Sequence, residues 1–157
     1  MSAYNILIVN GPNLGALGER QPDIYGYRGM GELQGMLRGV MGEEADRVRL
    51  GYFQSNSEGA LIDRLTRARD EEVHGIVFNA GAYTHTSLAL ADCLAWIGIP
   101  CVEVHLSNVW ARQEKLRHTS TIARHCVGIV AGFGLMSYAL GVMGLVERLN
   151  QIGELEE

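Results

Sequence analysis

Residues Cys126–Val146 read CVGIVAGFGLMSYALGVMGLV and carry no charged side chain over 21 positions. A run of that length can cross a bilayer, and Gly128-x-x-x-Gly132 is a spacing that lets membrane helices approach closely. The interior of the run argues against a span. Val127, Ile129 and Val130 are β-branched and favour a strand, whereas Gly132-Phe133-Gly134 interrupts the run. Leu135-Met136-Ser137-Tyr138-Ala139-Leu140 then starts a helix. The stretch is therefore expected to form a buried strand, a turn and a helix, with no membrane crossing.

Upstream of this unit the same alternation recurs. Short apolar runs at Ile6–Val9, Val48–Phe53, Gly75–Phe78 and Cys101–Leu106 read as strands, with Val127–Ala131 as the fifth. Helical stretches are expected around Glu32–Met41, Glu58–Glu71, Ser87–Ile97 and Leu135–Asn150. Ser57, followed by Glu58 and Ala60-Leu61-Ile62, resembles a helix start without the full capping box. Strands alternating with helices imply an α/β class protein, a right-handed, doubly wound parallel sheet. Its 157 residues fit one domain spanning 1–157, with neither internal repeat nor linker.

Composition narrows the partners. Hydrophobic residues make up 47% of the chain, as in a globular protein, and the formal net charge is −5. With one lysine, Lys115, and no basic run, no nucleic-acid footprint is expected. Cys93, Cys101 and Cys126 lie in apolar contexts without C-x-x-C spacing, which suits reduced thiols in a cytoplasmic setting. The N-terminus lacks the basic region of a secretory signal.

Chemistry concentrates in Pro100-Cys101-Val102-Glu103-Val104-His105-Leu106-Ser107-Asn108. Side chains alternate along a strand, so Glu103, His105 and Ser107 should share one face while Val102 and Val104 bury on the other. A carboxylate two residues before a histidine can hold the imidazole and favour its protonated form. The Ser107 hydroxyl and the backbone N–H groups just past the strand suit an anion. A general acid beside an anion pocket is the expectation, against the plainer reading of a core strand with a satisfied histidine.

Two connections, Gly11–Gly31 and Ser107–His125, exceed ordinary turns and follow strand ends, where α/β sheets bind ligands. The first opens Asn10-Gly11-Pro12-Asn13-Leu14 and continues through Arg20 to Tyr25. Its glycines do not follow the G-x-G-x-x-G pattern. Tyrosine loses its proton near pH 10, so its use as a base at neutral pH requires a nearby cation such as Arg20 or Arg117. After the third strand, Asn79-Ala80-Gly81-Ala82-Tyr83-Thr84-His85-Thr86-Ser87 places Asn79 at a strand end and His85 at the start of the next helix. One of Thr84, Thr86 and Ser87 is expected to cap that helix. The second connection holds Arg112, Lys115, Arg117 and His118, of which at least one would grip a substrate. No metal-ligand spacing is recognised.

Together with Ile24-Tyr25-Gly26 and Gln54-Ser55-Asn56-Ser57-Glu58-Gly59, these segments resemble the type II 3-dehydroquinate dehydratases. The resemblance covers nearly the whole chain. It implies a flavodoxin-like fold with strand order 2-1-3-4-5 and helices on both faces. It also implies a hydro-lyase that removes water from 3-dehydroquinate by anti-elimination through an enolate, in the shikimate or quinate pathway, without cofactor or metal. On this resemblance Tyr25 would abstract the proton, Arg20 would lower its pKa, and Asn13 would hold a water at the enolate oxygen. His105, oriented by Glu103, would protonate the departing hydroxyl, and Asn79 would position His105 and the substrate. Leu106 and Ser107 would bind the carboxylate, and His85 and Arg117 the ring hydroxyls. The resemblance further implies a homododecamer of four trimers in which Asp92 reaches a neighbour's site. Four residues, Gln113-Glu114-Lys115-Leu116, separate Arg112 from Arg117 where the family usually has three, so Arg117 is assigned by its Arg-His-x-Ser context. A flavin- or nucleotide-binding module on the same fold, and a non-catalytic relative binding a cyclic polyol acid, are the alternatives.

Overall fold

The computed structural model describes residues 3–15 and 29–156; Arg20 and Tyr25 lie outside them. Five parallel strands form one sheet in the order β2-β1-β3-β4-β5, as expected. They are β1 (Tyr4–Asn10), β2 (Val48–Gln54), β3 (Gly75–Asn79), β4 (Cys101–His105) and β5 (Gly128–Ala131). The helices are α1 (Leu33–Met41), α2 (Glu58–Ala68), α3 (Leu88–Ile97) and α4 (Met136–Glu156).

The apolar strands bury both faces. Ile6, Ile8, Val77, Val102 and Val104 pack with Leu33 and Leu37 of α1 and with Tyr138, Val142 and Leu145 of α4. Leu7, Val9, Ile76, Phe78 and Cys101 pack on the opposite side with Leu61 and Leu65 of α2 and Leu90 and Leu94 of α3. This arrangement explains why the centres of β1 and β3 read as unbroken hydrophobic runs, whereas β4 buries Glu103 and His105 among its apolar residues. β5, at an edge, leaves Ile129 exposed.

The uncharged stretch resolves into β5, a turn and α4. Gly132 and Gly134 both take positive φ in that turn, a backbone region that β-branched residues resist. The Ser137 hydroxyl accepts the Phe133 N–H at 3.0 Å, and Gly134 N–H donates to the Leu106 carbonyl, tying the turn to the segment after β4. No helix among the described residues is long and apolar enough to cross a membrane.

Helix boundaries depart from expectation in physically readable ways. Ser57 caps α2 by accepting from Ala60 N–H at 3.2 Å. That helix ends at Ala68 rather than Glu71, because Asp70, Glu71 and Glu72 oppose the dipole at its C-terminus, and Glu72 turns into positive φ. His85 does not open an α-helix. Gly81–His85 forms a separate 3-10 turn, and α3 starts at Leu88, where Ser87 caps it by accepting from Leu90 N–H. α4 continues to Glu156 rather than Asn150, through a mostly exposed end in which Gln151, Glu154, Leu155 and Glu156 favour helix and outweigh Gly153.

Candidate active site

Asn10, Asn79 and His105 end β1, β3 and β4 on the carboxyl side of the sheet. The strand order reverses between β1 and β3, and Asn10 and Asn79 are register partners at that point. Open α/β sheets bind ligands in this position.

Glu103 and His105 share a face of β4, as their spacing requires. Glu103 Oε2 lies 2.8 Å from His105 Nε2, and the two residues are only 3% and 5% exposed. A buried carboxylate is tolerated only when it is paired and hydrogen-bonded. The Ser120 hydroxyl meets the other oxygen, donating to Glu103 Oε1 at 2.5 Å. With Nε2 committed to Glu103, Nδ1 is the nitrogen of His105 left for a ligand.

A second buried network supports the neighbouring strands. Tyr138 of α4 donates to Asn10 Oδ1 at 2.6 Å and accepts from Asn79 Nδ2 at 2.9 Å. Burial pushes the Tyr138 phenol well above its ordinary value, against a smaller lowering by the Asn79 hydrogen bond, so it remains a neutral donor. Asn79 Oδ1 accepts Gly81 N–H at 3.1 Å. The Asn79 side chain is thus held by Tyr138 and Gly81 rather than bonded to His105.

The loop after β1 is pinned from β2. Asn13 takes a positive φ of 67°, and its N–H donates to Asn56 Oδ1 at 2.9 Å. Gln54 Nε2 donates to the Gly11 carbonyl at 3.2 Å. A Cβ at Gly11 would stand 2.5 Å from the Ala80 carbonyl oxygen, so only glycine fits there.

These elements enclose a cavity of about 260 Å³ whose wall includes Asn13, Asn79, His85, His105, Ser107 and Arg117. Leu106 and Arg112 also reach it. His85 Nδ1 donates to the Thr119 carbonyl at 2.8 Å, which leaves Nε2 for a ligand. The His85 and His105 rings are nearly parallel, their centroids 6.4 Å apart. Arg112 donates to Ser107 Oγ at 3.2 Å. Arg117 Nε pairs with Glu114, and that hydrogen bond holds the Glu114 carboxyl below its usual range. Asp92 stands exposed on α3, apart from this cavity.

The family described as Dehydroquinase class II matches residues 4–146. The chain belongs to the class II dehydroquinases. A protein from a Synechocystis species called 3-dehydroquinate dehydratase is 50% identical over 151 residues, covering 95% of each chain. Another of that name, from a Synechococcus species, is 47% identical over 147 residues, covering 94% of this chain and 98% of its own. The crystal structure of a type II dehydroquinase from Butyrivibrio crossotus superposes with a TM-score of 0.81 at 40% identity, covering 91% of this chain and 97% of that one.

In this class II dehydroquinase the structure brings Asn13, Asn79, His85, Leu106, Ser107, His105 and Arg117 to one cavity, with Glu103 behind His105. Sequence reading passed over Asn10 and Tyr138, whose partnership joins residues 128 positions apart. A single tyrosine in an apolar helix gives no local sign of such a bond. Ser120, three residues after Arg117, is marked in the sequence by the Arg-His-x-Ser context, but its bond to Glu103 is visible only in the fold.

Proposed function

We propose that this chain catalyses the dehydration of 3-dehydroquinate to 3-dehydroshikimate. The buried Glu103–His105 pair facing a polar cavity is the observation that carries this reading. Elimination of water beside a ketone requires a base at the α-carbon and an acid at the departing hydroxyl, poised in opposite protonation states. His105 is the acid: its Nδ1 gives a proton to the hydroxyl as the C–O bond breaks, while Glu103 stabilises the ring's charged form.

Tyr25, outside the described residues, is the base, taking the α-proton to leave an enolate, and the charge of Arg20 favours the tyrosinate. Asn13 holds the water that hydrogen-bonds the enolate oxygen. The Leu106 and Ser107 amides, with the Ser107 hydroxyl, take the substrate carboxylate. His85 accepts from a ring hydroxyl through Nε2 and Arg117 donates to another, while Asn79 fixes the floor between them. Residues 1–157 act as one catalytic domain in the cytoplasm, and the three free cysteines support a reducing compartment. The chains assemble as a dodecamer of four trimers, with Asp92 reaching a neighbouring site from its exposed position on α3.

A continuous ultraviolet assay for the conjugated enone tests the reading, run with and without borohydride pretreatment and EDTA. Enone formation that survives both treatments is the expected result. Binding of 3-dehydroquinate without turnover would overturn it.

A further inference from the structure

The run Arg117-His118-Thr119-Ser120 touches the site at every residue. Arg117 lines the cavity, and His118 Nε2 bonds the Arg112 carbonyl at 2.7 Å. The Thr119 carbonyl receives His85 Nδ1, and the Ser120 hydroxyl reaches Glu103. Ser120 is the member whose geometry leaves least freedom. Its oxygen accepts Ile122 N–H at 3.3 Å and Ala123 N–H at 3.0 Å, at the start of the 3-10 turn Ala123–His125. A hydroxyl has two lone pairs and one proton. With both acceptor positions occupied by amides, the proton has a single assignment, toward Glu103 Oε1.

The carboxylate needs that partner. The terminal torsion of a glutamate is broad and roughly two-fold, so one hydrogen bond to His105 does not fix the plane of the group. A donor on each oxygen does. Loss of the Ser120 proton would also leave a buried, charged oxygen without a hydrogen bond, which is costly.

We propose that Ser120 is a positioning residue for the general acid: its hydroxyl fixes the Glu103 carboxylate and, through it, the ring of His105. The proposal rests on the reading of His105 as the acid of the dehydration. Ser120 acts through Glu103 rather than on the substrate, so its removal should affect kcat and spare KM.

The test compares Ser120→Ala and Ser120→Thr with the unchanged protein. Turnover of 3-dehydroquinate is measured alongside the proton NMR resonance of His105 Nε2–H, which lies far downfield when bonded to a carboxylate and is assigned by its loss in His105→Ala. Ser120→Ala is expected to lower kcat roughly 10- to 100-fold, as for loss of a hydrogen bond to a charged group, with KM held within about two-fold. The downfield resonance should broaden or vanish, and Ser120→Thr, which keeps the hydroxyl, should restore both. An alanine variant with unchanged kcat and resonance would overturn the proposal. So would a threonine variant as impaired as the alanine one, since the role would then be steric. If the alanine variant does not fold, Ser120→Cys carries the same comparison, because a thiol fills the space but donates weakly; full turnover and an unmoved resonance in that variant would also overturn the proposal. The resonance reports on the pair without turnover. An inactive unchanged protein would therefore sink the dehydratase reading while the resonance still decides the role of Ser120.

Discussion

Tyr138 shows how a residue remote in sequence sets the floor of the site. Tyr138→Phe removes one hydroxyl and strips partners from two buried amides, Asn10 Oδ1 and Asn79 Nδ2. Each orphaned group costs about 1–3 kcal/mol, so the variant should lose several degrees of melting temperature and part of its kcat. A melting curve and kinetics unchanged from the parent would contradict the network. The pH dependence has a definite sign. The folded phenol titrates above the unfolded value near 10, so its contribution is intact below pH 10 and is lost as pH rises beyond that. Chemical denaturation at pH 9 and pH 11 should show a drop that shrinks in the phenylalanine variant. At this scale the Glu103–His105 contact was legible, because period-two alternation alone places the pair on one face. Tyr138 and Ser120 were not, since their bonds depend on where a helix and a loop land against the sheet.

At the scale of elements, short polar signals bounded the helices more faithfully than periodicity did. Ser57 and Ser87 both cap; Ser87 sits immediately before an apolar run and Ser57 shortly before Ala60-Leu61-Ile62. Ser57→Ala should destabilise the protein by about 1 kcal/mol through the lost bond to Ala60 N–H, with no change in KM because α2 packs away from the cavity. A shift in KM without a shift in denaturation midpoint would contradict that separation. The end of α2 was misjudged because hydrophobic pattern says nothing of three successive acids at a helix C-terminus. His85 was assigned to the next helix because one continuous polar run hides the change from 3-10 turn to α-helix at Ser87.

For the whole molecule, topology was the most legible level. The inner strands β1, β3 and β4 announce themselves by burying both faces, and alternation with helices leaves few ways to order the sheet. β5 is a short edge strand with no fully buried residue. Ile129 and Val127 at this edge are exposed, as are Trp110, Leu116 and Phe133. Scattered exposed apolar residues are ordinary, but Val127, Ile129, Phe133 and Trp110 at one edge strand suit contact with further copies of the chain. Light scattering should give three or twelve times the 17.2 kDa chain mass; a single-chain mass would contradict the proposed assembly.

α4 covers β3, β4 and β5, and the Tyr4 hydroxyl donates to Asn150 at 2.6 Å. Synthesis runs in the opposite sense to that closure: the ribosome delivers every strand before the helix that roofs one side of them. Until residues 138–146 emerge, the side of Ile8, Val77 and Val104 that meets Tyr138, Val142 and Leu145 lacks its cover, and only Leu33 and Leu37 of α1 are available on that face. Docking of α4 is thus the step that completes the cover of that face.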